Sequence, residues 1–186
     1  MNVGIIVCGG ESLRMGSDKS LITYHKEPQR YHLYNLLKAK CDATFISLNR
    51  NQKELTDHVI VDDPQYENHG PISGLLSVAK KVNANSYAFI GCDYPFLKAE
   101  HIDQLLNANN DSLDAVCFSA NDQPEPLLAI YNRKVIEKLL IHFQKEEYSL
   151  SGFLKKEKVL FLEKNMALIS IDTPEQFQAS KSAFTK

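Results

Sequence analysis

The chain has 186 residues and a formal net charge of −2, with 21 Lys and Arg against 23 Asp and Glu. That length suits one domain, 1–186, able to bury a sizeable core. So weak a charge supplies no general field for nucleic acid or an anionic membrane, so any bound anion has to be held by local cations and backbone dipoles.

The elements read off in chain order alternate between strand and helix. A strand at Val3–Cys8 runs into a glycine-rich, basic segment. A helix at Gln29–Lys40 follows, then strands at Ala43–Leu48 and His58–Val61 and a helix at Ile72–Lys81. The strand Tyr87–Ile90, the helix Glu100–Asn107 and the strands Ala115–Phe118 and Leu127–Tyr131 come next. Helices at Lys134–Lys145 and Ser149–Lys155, a strand at Val159–Leu162 and a helix at Pro174–Phe184 complete the series. Thr173 caps that last helix and Pro174 takes its first position.

Short continuous apolar runs suit strands covered on both faces of a parallel sheet. The alternation therefore predicts an α/β fold, three-layer α/β/α, with a Rossmann-like, mostly parallel sheet. Ligands of such sheets bind outside the carboxyl ends of the strands. That places the loops after Cys8, Leu48, Val61 and Gly91 on one rim. No apolar run reaches the roughly 20 residues of a membrane helix, and no basic-then-apolar leader opens the chain. Cys8, Cys41, Cys92 and Cys117 form no CxxC pair and read as reduced core thiols. A soluble, cytoplasmic protein is expected.

The segment Gly9-Gly10-Glu11-Ser12-Leu13-Arg14-Met15-Gly16-Ser17-Asp18-Lys19 carries the chemistry. Glycines let backbone N–H groups approach phosphates closely, and Arg14 and Lys19 bring two cations to one loop. A lysine suits triphosphate oxygens as a point charge, and the planar fork of Arg14 suits a bidentate grip. The spacing fits neither a Walker A loop nor a dinucleotide fingerprint. Farther on, Asp93 ends an apolar strand and precedes Tyr94-Pro95. A carboxylate there can ligate Mg²⁺, which takes one or two carboxylates together with waters and phosphates. The plain alternative is an Asp that only starts a turn. The six histidines show no metal-ligand spacing, although His69 lies beside Gly70-Pro71.

The G-G-x-S-x-R-M-G-x-D-K pattern, starting at Gly9, closely resembles the signature loop of the molybdenum cofactor guanylyltransferases. These belong to the glycosyltransferase-A-like nucleotidyltransferases. Val61-Asp62-Asp63-Pro64, Gly70-Pro71-Ile72-Ser73-Gly74-Leu75 and Gly91-Cys92-Asp93-Tyr94-Pro95 follow in the family's order. Glu125-Pro126-Leu127 resembles its substrate-side strand, and Ile171-Asp172-Thr173-Pro174-Glu175 its closing element, so the likeness spans nearly the whole chain.

The resemblance implies GMP transfer from GTP to molybdopterin or the molybdenum cofactor, with pyrophosphate leaving. It implies Lys19, Arg14 and Asp93 as catalytic residues, and Cys8, Gly9, Gly10, Lys19, Asn49, Asp63 and Asp93 as nucleotide contacts. Mg²⁺ would sit on Asp93. A donor half, about 1–97, would precede an acceptor half, about 98–186. Asn51 competes with Asn49, and Asp62 with Asp63, unless Asp62 is a solvated turn residue. Partners could include other cofactor-assembly proteins or the acceptor apoenzyme, but no nucleic acid or membrane. Alternatives are CMP transfer to molybdopterin, nucleotidyl transfer to a sugar or polyol phosphate, and a catalytically idle nucleotide-binding partner. Retention of both Lys19 and Asp93 argues against the idle partner. Two departures stand out: Cys8 where the family more often has Ala, and Ser170 and Asp172 where it has amides. A carboxylate at 172 would weaken the hold on an anionic pterin.

Overall fold

Within the first strand, Val3, Ile5 and Val7 join one buried cluster while Ile6 joins another, so the sheet is covered on both faces. The structure, a computed structural model, describes residues 1–8, 18–52, 54, 56–165 and 168–184. Gly9, Gly10 and Arg14 lie outside the described residues.

The elements are β1 (Asn2–Val7), α1 (Gln29–Lys38), β2 (Ala43–Leu48), β3 (Val59–Val61), α2 (Pro71–Lys81), β4 (Ser86–Gly91) and α3 (Ala99–Ala108). They continue with β5 (Ala115–Ala120), β6 (Gln123–Asn132), α4 (Arg133–Gln144), α5 (Leu150–Leu154), β7 (Val159–Glu163) and α6 (Pro174–Phe184). The seven strands lie in the order β3-β2-β1-β4-β6-β5-β7. All pairings are parallel except those of β6, which runs antiparallel to both β4 and β5. Helices α2, α4 and α5 cover one face through Leu75, Leu139 and Phe153. Helices α1 and α3 cover the other through Leu33, Leu37, Ile102 and Leu105. This is the three-layer, mostly parallel arrangement expected from the alternation.

Two expectations change. The predicted strand at Leu127–Tyr131 extends back to Gln123, because β5 and β6 form a hairpin across Asn121 and Asp122, both at positive φ. Asn and Asp tolerate that conformation better than most residues. The strand at Val159–Leu162 is not buried on both faces: β7 is a sheet edge, and Leu160 and Phe161 are about 40 % exposed. A continuous apolar run does not by itself distinguish a central strand from an edge.

Candidate functional site

The chain returns to the rim formed by the carboxyl ends of β1 and β4. Val7 and Gly91 are the last registered pair of these strands, and the Cys92 N–H donates to the Val7 carbonyl at 3.1 Å. Cys8 and Asp93 therefore leave the sheet side by side. A side chain at Gly91 would meet Asp93 Oδ1 at 2.4 Å, so only glycine leaves room for that carboxylate against the strand.

Asp18 caps a short 3-10 turn, Lys19–Leu21, by accepting from the Ser20 N–H at 2.9 Å. The turn delivers Lys19 to the same rim, where its Nζ stands 3.1 Å from Asp172 Oδ1. The segment before α6 is anchored there as well: the Ile171 N–H donates to the Asp93 carbonyl at 2.8 Å, and Ser170 Oγ donates to Asp172 Oδ2 at 2.9 Å. Lys19, Asp93 and Asp172, distant in sequence, thus share one site.

Asp93 Oδ1 is buried and has no hydrogen-bond partner among the described residues. Burial pushes its carboxyl up to about 6, helped by the charge of Asp172 and, more weakly, Glu125, while its own backbone N–H and then Lys19 pull it down. A buried acceptor without a donor, in a region of excess negative charge, fits a divalent cation. Asp93 and Asp172 bring two carboxylates to this rim. No group of three or more metal-ligating side chains occurs among the described residues. Cys8 and Cys92 pack behind this site. The Cys92 thiol is held well above its usual range by its hydrogen bond with Cys8 and by burial, so it stays neutral.

A second cluster lies beside Asp93. Tyr94 donates to Glu125 Oε2 at 2.7 Å, and Lys164 pairs with Glu125 Oε1. Glu125 comes from β6 and Lys164 follows β7, so the cluster reaches across β5. Lys164 was not among the sequence candidates: it lies in no motif, and only the order of the strands brings it here.

The other candidates separate. Asn49 Oδ1 accepts from the N–H groups of Asn51 at 2.9 Å and Gln52 at 3.2 Å, closing a turn just past β2. Asn51 spends its backbone on that turn. Asp63 accepts from Lys80 at 2.8 Å and from the Gln65 N–H at 3.0 Å, and these bonds hold its carboxyl below the usual range. Asp62 is buried, not a solvated turn residue, and burial pushes its carboxyl up to about 6. In the Gly70–Gly74 segment Gly70 has a φ of 74°, where a side chain is strained, and Ser73 Oγ donates to the Tyr66 carbonyl at 2.5 Å. His69 stacks on Tyr148 with ring centroids 4.0 Å apart.

The mostly parallel α/β sheet thus brings a lysine and two carboxylates to one rim. Residues 4–160 match the MobA-like NTP transferase domain, and the chain belongs to that family. A probable molybdenum cofactor guanylyltransferase of Bacillus cereus (strain Q1) is 30 % identical over 164 residues, covering 86 % of this chain and 82 % of the relative. Another, from Bacillus cereus (strain AH820), is 29 % identical and covers 98 % of both chains. Among solved structures, molybdopterin-guanine dinucleotide biosynthesis protein A from Archaeoglobus fulgidus superposes with a TM-score of 0.76 at 18 % identity, covering 98 % of each chain. The CMP:2-keto-3-deoxy-manno-octonic acid synthetase complexed with CTP superposes at 0.75 with 14 % identity, covering 98 % of this chain and 97 % of that one. These two superpositions establish the fold.

Proposed function

We propose that the protein transfers GMP from GTP to molybdopterin or the molybdenum cofactor, releasing pyrophosphate and forming the guanine dinucleotide cofactor. The observation that carries this reading is the gathering of Lys19, Asp93 and Asp172 at the carboxyl ends of β1 and β4. The names of the curated relatives support guanylyl transfer and a molybdopterin acceptor.

In this reading an oxygen of the acceptor phosphate attacks the α-phosphorus and the pyrophosphate oxygen leaves. An ionised phosphate is already a nucleophile, so the protein's work is positioning and charge neutralisation. Lys19 leaves Asp172 for the triphosphate oxygens, and Arg14 is assigned to the same phosphates. Cys8, Gly9, Gly10, Asn49 and Asp63 are assigned to the nucleotide. Asp93, with Asp172, would hold Mg²⁺, which neutralises phosphate charge when bound. Glu125, Tyr94 and Lys164 line the acceptor side. A cytoplasmic setting is part of this proposal. Among the described residues no helix is long and apolar enough to cross a membrane.

The test is mass analysis of products after mixing protein, Mg²⁺, molybdopterin and all four nucleoside triphosphates. The guanine dinucleotide is expected. A cytosine adduct, or no adduct with molybdopterin, would overturn the assignment and direct the search to CMP transfer or to a sugar or polyol phosphate.

A further inference from the structure

The glycine-rich segment is flanked by Cys8 and Asp18, and one side chain holds both flanks. Gln52 Nε2 donates to the Cys8 carbonyl at 3.0 Å and to Asp18 Oδ2 at 2.7 Å. Its Oε1 accepts from the Asn49 N–H at 3.1 Å. The Gln52 backbone N–H returns to Asn49, at 3.1 Å from its carbonyl and 3.2 Å from its Oδ1. Gln52 is thus fixed to the end of β2 by its backbone and side-chain oxygen, while its NH₂ group spans the gap between the end of β1 and the turn that presents Lys19.

We propose that Gln52 is a positioning residue for triphosphate binding, an amide clasp that sets the separation of Cys8 and Asp18 and thereby places Lys19. The proposal rests on the assignment of Lys19 to the triphosphate. Few side chains meet the chemical demand. The site needs two donors aimed at a carbonyl and a carboxylate, and one acceptor for a backbone N–H, from one planar head. A carboxylate cannot donate, and an ammonium or guanidinium cannot accept. Asparagine is one methylene shorter.

The clasp also governs charge. Asp18 Oδ1 accepts from the Ser20 N–H at 2.9 Å and from Ser20 Oγ at 2.6 Å, and Gln52 takes Oδ2. Both oxygens of Asp18 are therefore committed to neutral donors, and the adjacent Lys19 reaches across the rim to Asp172 instead. A neutral amide at 52 keeps Asp18 directed away from Lys19 without adding a charge that repels phosphate.

The test compares wild type, Gln52→Ala and the isosteric Gln52→Glu by titration with Mg·GTP and by steady-state kinetics, with urea unfolding of each protein. The hydrogen bond to a carboxylate is the strongest of the three that Gln52→Ala loses, and its loss is expected to raise Kd and KM for the triphosphate by about tenfold while kcat stays within about threefold. Gln52→Glu, which sets a carboxylate against Asp18 and the Cys8 carbonyl, is expected to be weaker than Gln52→Ala. Unchanged KM in both variants, or a loss confined to kcat, would overturn the clasp, as would a drop in urea midpoint with no change in binding. If wild type binds no nucleoside triphosphate, the assignment of Lys19 fails and the clasp with it. If wild type binds tightly and both variants match it, only the clasp fails.

Discussion

Lys19 Nζ and Asp172 Oδ1 stand 3.1 Å apart across 153 positions of sequence, joining the Lys19–Leu21 turn to the segment that leads into the last helix. The pair occupies the lysine that would otherwise meet phosphate. Asp172 is 44 % exposed at its side chain, so solvent screens much of the attraction, and exchanging it for triphosphate costs little. Asp172→Asn keeps the shape and removes the competing charge. It is expected to tighten Mg-free GTP binding several-fold, as a surface pair of up to about 1 kcal/mol allows. Lys19→Ala is expected to lower kcat/KM by about 10²–10³, the usual loss when one electrostatic stabiliser of a transition state is removed. Calorimetric titration checks the first and steady-state turnover the second. Weaker binding in Asp172→Asn would mean that Asp172 does not compete for Lys19.

Asp93→Asn separates function from stability. The wild-type carboxylate is buried at Oδ1 without a donor, and its carboxyl is raised to about 6. An amide of the same shape removes an uncompensated charge and also the metal ligand. Mg²⁺-dependent transfer is expected to fall by at least about 10³ in kcat/KM, while the metal-free protein melts at a higher temperature at pH 7.5. Turnover like wild type would remove the metal assignment, and a lower melting temperature would remove the electrostatic account of Asp93.

The aromatic contacts of Phe184 give a fourth expectation. Its ring lies 5.3 Å from Tyr24, 5.2 Å from His25 and 4.8 Å from Phe96. Tyr24 and His25 follow the Lys19 turn and Phe96 follows Asp93, so α6 bridges both arms of the site. Phe184 also walls a cavity of about 450 Å³ with His25, His32 and Phe96. Phe184→Ala is expected to cost roughly 1–3 kcal/mol, below the range for a fully buried phenylalanine because this one is partly exposed. For a chain of this size that lowers Tm by about 2–4 °C per kcal/mol. Differential scanning calorimetry measures it, and an unchanged Tm would show that α6 does not brace the rim.

Much of this was legible in the sequence because the signals were local. Apolar runs located all seven strands, and the Asp93-Tyr94-Pro95 turn after a buried strand marked a rim carboxylate. Thr173-Pro174 set the start of α6 at the residue where it begins. Edge burial was not legible, since Val159–Leu162 reads like a central strand until its neighbours are known. Lys164 and Gln52 were not legible either. Each acts through a partner brought near by strand order: Glu125 across β5 for Lys164, Cys8 and Asp18 for Gln52. The closing Asp172 was visible as a departure from the family's amide, but its pairing with Lys19 was not.

Asp62 yields a pH dependence whose sign can be worked out. It is buried at the end of β3, and burial raises its carboxyl from the ordinary 3.8 to about 6; the Ser47 hydroxyl, 3.4 Å away, opposes the rise, Glu67 adds to it and Lys81 opposes it. Below about pH 4 the group is protonated in folded and unfolded chains alike and contributes nothing to the difference. Between about 4 and 6 the folded protein keeps a proton that the unfolded chain has lost, so stability falls as pH rises through this window. Above about 6 the penalty is constant, at most roughly 3 kcal/mol and on the order of 1–2 kcal/mol once relaxation and water access are allowed for. Asp62→Asn, which still offers an acceptor to Ser47, removes that penalty. Urea unfolding is therefore expected to show the variant more stable than wild type at pH 7.5, with the gap narrowing through pH 6–4 and closing below pH 4. A gap that persists at pH 3.5 would show that the stabilisation comes from packing and not from the charge of Asp62.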